Sequence, residues 1–118
     1  MDLTTLTASE AAAAIKGGAV TAAELAKALI AEAQAAQSIN ALVGFDADTF
    51  LEQAEEADQI KTEGARLGPL HGVPVVIKDN IDVAGFATTA ATPALAGNLA
   101  RRDAPVTRAL RDAGAVIM

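Results

Sequence analysis

At 118 residues, with 52% hydrophobic and 20% charged side chains, the chain fits one globular domain with a modest core and is too apolar for intrinsic disorder. Its net charge of −6 argues against a binder of the nucleic-acid backbone, and the absence of cysteine removes disulfides, thiolate catalysis and Cys-based metal sites. The single histidine, His71, excludes a His-rich metal centre, and without Trp or Tyr there is no platform for stacking bases.

The N-terminus, Met1-Asp2-Leu3-Thr4-Thr5, has neither the basic start nor the apolar core of a signal peptide. No apolar run approaches the roughly 20 residues of a membrane span. These features predict a soluble, cytoplasmic protein with no membrane contact and no direct nucleic-acid binding. Residues 1–64 hold eleven Asp or Glu against three Lys, whereas residues 65–118 hold six Lys or Arg against four Asp. The acidic part coincides with the expected helices, where it reads as solvated faces.

The spacing Thr7-Ala8-Ser9-Glu10 predicts a capping box, with Leu6 stapled onto Ala11 and a helix running through Ile15 to Gly17-Gly18. The device repeats at Thr21-Ala22-Ala23-Glu24, with Val20 and Leu25 as the staple pair. Leu25, Leu29, Ala33 and Ala36 mark one face of a longer helix ending near Ser38. Asn40 to Phe45 reads as a short strand. Asp48 or Thr49 opens a third helix, with Phe50, Leu51, Ala54, Ala57 and Ile60 inward and Glu52, Glu55, Glu56 and Lys61 outward, and Gly64 as C-cap.

Gly68-Pro69 punctuates the next turn, and Val73 to Ile77 reads as a strand buried on both faces, because no polar residue alternates with the apolar ones. Ile81 to Phe86 reads as strand or loop, Thr88 to Pro93 as a hydroxyl-rich loop, and residues 94–102 as an irregular connection. Asp103-Ala104-Pro105 predicts a helix start, with Val106, Ala109 and Leu110 facing inward and Gly114 ending it. Ala115 to Met118 begins another buried strand. A β-branched run after a helix end normally continues into a sheet, so the expectation is the N-terminal piece of a longer protein, marginal in isolation.

Lys78 is the only one of the four lysines in an apolar strand context, and the end of a strand is a favoured place for site residues in α/β folds. A lysine becomes a base or nucleophile near neutral pH when burial disfavours its ammonium form. The competing reading is a solvated or ion-paired lysine, with the adjacent Asp79 as the partner. His71, in a Gly/Pro-bounded turn, reads as a structural hydrogen-bonder rather than an acid–base group. Asp79 and Asp82 alone are weak Mg²⁺ ligands. Thr88, Thr89 and Thr92 read as loop-stabilising hydroxyls or as ligand contacts. Gly68, Gly72 and Gly85 match neither the P-loop nor the dinucleotide spacing. The two serines, Ser9 and Ser38, lie at helix ends, and neither sits in a nucleophile turn.

Several separated motifs fall in one order: Gly68-Pro69-Leu70-His71-Gly72-Val73-Pro74-Val75-Val76-Ile77-Lys78-Asp79-Asn80-Ile81-Asp82, then Gly85, Thr88-Thr89, Pro93-Ala94-Leu95, Asp103-Ala104-Pro105-Val106 and Ala113-Gly114-Ala115-Val116-Ile117. In this order they closely resemble the N-terminal part of the amidase signature family, over essentially the whole chain and most strongly over residues 68–117. The resemblance implies an α/β fold with a mixed β-sheet core covered by α-helices, of which residues 1–118 are the truncated N-terminal part of a single amidase domain. Residues 1–64 would be mainly helical, and residues 65–118 would supply strand segments, a loop and a helix carrying the lysine motif.

It further implies an enzyme that hydrolyses carboxylic amide C–N bonds through a Ser–cis-Ser–Lys triad, with Lys78 as the catalytic base. No cofactor is implied; the partner is a small-molecule amide, and a homodimer of the full-length protein is compatible. In the family the serines come later than position 118, so these residues alone are expected to be inactive. Two alternatives stand beside this: the A-type catalytic subunit of a tRNA-dependent amidotransferase, and a non-enzymatic module that uses the Thr-rich loop for binding. One position departs from the family, which commonly has Gly after Thr-Thr-Ala where this chain has Ala91; a positive φ there would strain the alanine.

Overall fold

Both capping boxes form. Thr7 N–H donates to Glu10 Oε2 at 2.8 Å while Glu10 N–H donates to Thr7 Oγ1 at 3.3 Å, and the pair opens helix α1, Ala8–Gly17. Thr21 N–H to Glu24 Oε2 at 2.8 Å and Glu24 N–H to Thr21 Oγ1 at 3.0 Å open α2, Ala22–Ala35. Gly18 closes α1 in the left-handed region, as a glycine C-cap does. A 3-10 turn, Gln37–Ile39, extends α2 past Ala35 and brings the helical run to the expected neighbourhood of Ser38. The computed structural model describes all 118 residues, and it adds a 3-10 turn at Leu3–Thr5, capped by Asp2, that the sequence did not suggest.

Residues Asn40 to Phe45 are not a strand. Asn40 at φ 50 and Gly44 at φ 65 turn the backbone out of the extended region, and Val43 stays 61% exposed. The third helix, α3, spans Ala47–Thr62 and starts earlier than expected, because the Asp46 carboxylate accepts from Thr49 N–H at 2.7 Å. Phe50, Ala54 and Ala57 are buried as the periodicity predicts. The outer end of the helix corrects that pattern: Ile60 is exposed, and Lys61 is half-buried with its Nζ donating to the Ile15 carbonyl. The Ile15 carbonyl, which also accepts from Gly18 N–H at 3.2 Å, lies in the last turn of α1, where the helix dipole favours a cation.

The same helix face stabilises α2. The Asp58 carboxylate accepts from Ala22 N–H at 2.8 Å and Ala23 N–H at 2.9 Å, placing a negative charge at the positive end of α2. Between these polar clamps lies the core, where Ile15, Val20, Leu25 and Phe50 pack with the small residues Ala11, Ala22, Ala26, Ala54 and Ala57. Phe45 tilts onto Phe50, ring centroids 6.3 Å apart at 60°.

The sheet consists of two short parallel strands, β1 at Pro74–Val75 and β2 at Val116–Ile117, in register Pro74 with Val116 and Val75 with Ile117. The expected strand over Val73 to Ile77 is therefore shorter and less buried. Val73 is inside, Pro74 and Val75 are half-buried, and Val76 is 56% exposed. Ala115, Val116 and Ile117 are buried, as the final apolar run predicts. Ile81 to Phe86 takes the loop alternative, and the only further pairing nearby is an antiparallel bridge between Ala87 and Leu99.

Helix α4, Pro105–Asp112, makes the crossover between the two strands. Its cap position is Ala104 rather than Asp103; the Asp103 carboxylate instead accepts from Ala84 N–H at 2.8 Å and from Arg111 Nε at 2.9 Å. Its inner face matches the expected one only at Leu110, which is half-buried. Val106 is 51% exposed and Ala109 is exposed, whereas Thr107 is fully buried with its hydroxyl donating to the Asp82 carbonyl at 2.8 Å. The 81–86 loop supplies the Asp82 carbonyl, and the buried Thr107 hydroxyl finds its partner there, which a valine could not do.

Candidate active site

The end of β1 is located by a backbone clasp. Leu70 N–H donates to the Ala113 carbonyl and Gly72 N–H to the Gly114 carbonyl, both at 2.9 Å; Val116 N–H to Val73 at 2.9 Å and Met118 N–H to Val75 at 3.0 Å continue it as the ladder. The approach needs glycine. A Cβ on Gly68 would lie 2.2 Å from the Ala113 oxygen, and one on Gly114, which holds φ +93, would lie 2.8 Å from His71 Cα. His71 is buried, and its Nε2–H donates to the Ala57 carbonyl at 2.8 Å, so it ties the clasp to α3 as the structural reading of that residue held.

The outer edge of β2 is closed by one side chain. Gln53 on α3 donates its Nε2–H to the Ile117 carbonyl at 3.0 Å and accepts from Ile117 N–H through Oε1 at 3.3 Å. The amide thus answers both backbone groups of Ile117 as a neighbouring strand would. Arg111 Nη1 also donates to Gln53 Oε1 at 3.3 Å while its Nε holds Asp103.

Lys78 lies three residues after β1 ends, and its side chain is exposed, as the competing reading of a solvated lysine has it. Two clefts meet at it. One, of about 380 Å³, is walled by Ile77, Ile81, Val83, Phe86 and Met118. The other, of about 420 Å³, is walled by Leu42, Phe45, Val76, Ile77 and Met118. Lys78 and Asp79 line both. Lys78 has no salt-bridge partner, so the pairing with Asp79 that the competing reading allowed does not form. The apolar wall residues Phe86 and Met118 were not singled out in the sequence; the alternation Ile81, Val83 and the aromatic at 86 were the available signal.

Asp79 turns to the hydroxyl-rich loop instead. Its Oδ1 accepts from Thr89 N–H at 3.0 Å, its Oδ2 accepts from Thr89 Oγ1–H, and its carbonyl accepts from Ala90 N–H at 2.8 Å. The Thr89 hydroxyl, and then the Thr89 N–H, hold the Asp79 carboxyl below its ordinary range. Thr88 Oγ1 donates to Asp82 Oδ1 at 2.6 Å, so the two carboxylates each take one threonine. Thr92 donates to the Ala90 carbonyl at 3.4 Å. The threonines of this loop act here as loop-stabilising groups. Between them, Ala90 at φ 48 and Ala91 at φ 56 both occupy the left-handed region, so the strain expected at Ala91 is present and extends to its neighbour. Ser9 and Ser38 are exposed, and neither lines a cleft that contains Lys78.

The family model described as Amidase matches residues 24–118. Mandelamide hydrolase of Pseudomonas putida is 37% identical over 113 residues, which is 96% of this chain and 22% of that protein. The A-type subunit of the mitochondrial glutamyl-tRNA(Gln) amidotransferase of Xenopus tropicalis is 39% identical over 109 residues, 92% of this chain and 21% of that protein. Among solved structures, native peptide amidase from Stenotrophomonas maltophilia superposes with a TM-score of 0.87 at 33% identity, over 97% of this chain and 24% of that one. A fatty acid amide hydrolase superposes with a TM-score of 0.89 at 32% identity, over 98% of this chain and 21% of that one. The chain thus spans about a fifth of the length of the curated relatives it matches.

Proposed function

The chain belongs to the amidase family, and from that premise we propose that Lys78 is the general base of an enzyme that hydrolyses carboxylic amides. The observation that carries the reading is the position of Lys78: an unpaired lysine just past the end of β1, the strand that the Gly68–Gly72 clasp locates, and at the meeting of two apolar-walled clefts.

A lysine accepts a proton only as the free amine, a form that desolvation favours. In the proposed chemistry the Lys78 amine takes the proton of a bridging serine, which takes the proton of a second serine as that oxygen attacks the amide carbonyl. Collapse of the tetrahedral intermediate expels the amine with a proton returned along the same path, and water then releases the acid. Both serines would come from polypeptide outside these 118 residues, which would also cover the two clefts. By the same reading the 118 residues alone turn over no amide, and the whole protein is a cytoplasmic enzyme whose assembly, including a homodimer, is set by surfaces beyond the lysine motif.

A second reading is favoured by the 39% identity to the A-type amidotransferase protein. The same lysine would then serve in releasing ammonia from an amide donor for transfer, with partner subunits engaging the tRNA. Ammonia release by the natural-length gene product, assayed with aryl- and alkyl-carboxamides and with glutamine, separates the two. Turnover of carboxamides by the protein alone supports the hydrolase. Glutamine turnover that needs partner subunits and glutamylated tRNA supports the second reading, and no turnover in either assay refutes both.

A further inference from the structure

We infer that the Asp79–Thr89 pair is a positioning device for Lys78, and that Thr89, though remote in sequence and not itself a proton carrier, sets the geometry of the reaction. This rests on the reading of Lys78 as the base. Lys78 and Asp79 belong to one turn, closed by Ile81 N–H donating to the Lys78 carbonyl at 3.0 Å. Beyond β1 that turn has no ladder to hold it: the register ends at Val75 with Ile117, and the last ladder bond is Met118 N–H to the Val75 carbonyl. What fastens it is the 88–91 loop, through the three bonds into Asp79 from Thr89 N–H, Thr89 Oγ1–H and Ala90 N–H.

The loop bears a conformational cost for this contact. Two consecutive alanines stand at φ 48 and 56, in the left-handed region where a Cβ crowds the following carbonyl oxygen. Such strain persists where the surroundings over-determine it, and here the determinants are Asp79 on one side and the Thr89 hydroxyl, which also accepts from Ala91 N–H at 3.2 Å, on the other. Thr89 Oγ1 is therefore the joint of the clamp: it donates to the residue beside Lys78 and accepts from the strained loop. Thr89, Ala91, Asp79 and Lys78 line the same cleft, so relaxing the joint moves the wall and the lysine together.

The test uses the natural-length gene product with an amide it hydrolyses, in four forms: wild type, Lys78→Ala, Thr89→Val and Thr89→Ser. Valine keeps the shape and loses the hydroxyl; serine keeps the hydroxyl. The expected result is a fall in kcat of about 10- to 100-fold for Thr89→Val with KM within about 3-fold, the size of loss a misplacement near 1 Å produces, and recovery to within about 3-fold of wild type in Thr89→Ser. The same kcat for Thr89→Val as for wild type, with Lys78→Ala inactive, overturns the positioning role and leaves the base assignment standing. Equal losses in Thr89→Val and Thr89→Ser also overturn it, since the hydroxyl is then not the cause. A Thr89→Val loss that appears wholly in KM, or that tracks a drop in folded fraction by circular dichroism, assigns Thr89 to binding or folding and overturns the proposal as well. Lys78→Ala retaining wild-type turnover, or no turnover in wild type, refutes the underlying reading instead.

Discussion

Replacing Ala91 by glycine should stabilise this chain, a direction opposite to that of most substitutions in a folded protein. Ala91 sits at φ 56 and is exposed, so the change removes a steric cost and almost no packing. The left-handed conformation costs a non-glycine residue roughly 1–2 kcal/mol. Glycine gives back about 0.4–1 kcal/mol through the greater freedom of the unfolded chain. The difference is a net gain of about 0.5–1 kcal/mol, or a rise in Tm of around 2–4 °C. Ala96 provides the control, since it holds φ −54 in the ordinary helical region and is likewise exposed. There only the unfolded-state term operates, and Ala96→Gly should lower stability by about 0.4–1 kcal/mol. With no Trp or Tyr to report by fluorescence, urea and thermal unfolding followed by far-UV circular dichroism are the suitable assays. Equal destabilisation by both substitutions would mean that residue 91 does not occupy the left-handed region, and the clamp built on that loop would lose its strain.

The Asp79 carboxyl is held below its ordinary range by Thr89, so the bond's contribution to stability is fully present above the unfolded-state pKa near 4 and is lost as pH falls through the lower folded-state value. The stability gap between wild type and Thr89→Val should accordingly narrow on acidification from pH 7 to pH 3; a gap that widens would contradict the assigned cause. Gln53→Ala leaves both backbone groups of Ile117 without their partner and should cost about 1–3 kcal/mol, with faster hydrogen exchange at the Ile117 amide than in wild type. Unchanged exchange there would show that the edge of β2 is closed by something else. Asp58→Ala removes acceptors from two amides at the start of α2 and should cost about 0.5–2 kcal/mol by urea unfolding, more than the same change at the exposed Asp48.

What the sequence disclosed was local. The boxes at Thr7–Glu10 and Thr21–Glu24 close within one helical turn, so their residues carry the whole signal. The long-range clamps do not: Asp58 and Lys61 read as solvated charges on an acidic helix, yet they bind backbone groups 36 and 46 residues away. Gln53 gives no periodic signal at all, because its role depends on where β2 ends up. Asn40–Phe45 has apolar residues at strand-like spacing, but Asn40 and Gly44 sit in left-handed conformations that break the strand. The shifted inner face of α4, with Thr107 inside in place of Val106, has a similar origin, for the Asp82 carbonyl that pairs with Thr107 is supplied by a loop 25 residues upstream. At the site, the lysine motif was legible as residue types in order, and Asp79, Asp82, Thr88 and Thr89 were each visible. Their pairing into two Asp–Thr rungs was not, since it depends on the loop folding back across ten residues to Asp79 and six to Asp82.

The assignment of Lys78 is tested most directly by kcat/KM for amide hydrolysis in the natural-length gene product and its Lys78→Ala variant, each checked for native circular dichroism. Loss of a general base predicts a fall of about 10²- to 10⁴-fold. A Lys78→Ala protein that is folded and hydrolyses amides within a few-fold of wild type would contradict the assignment.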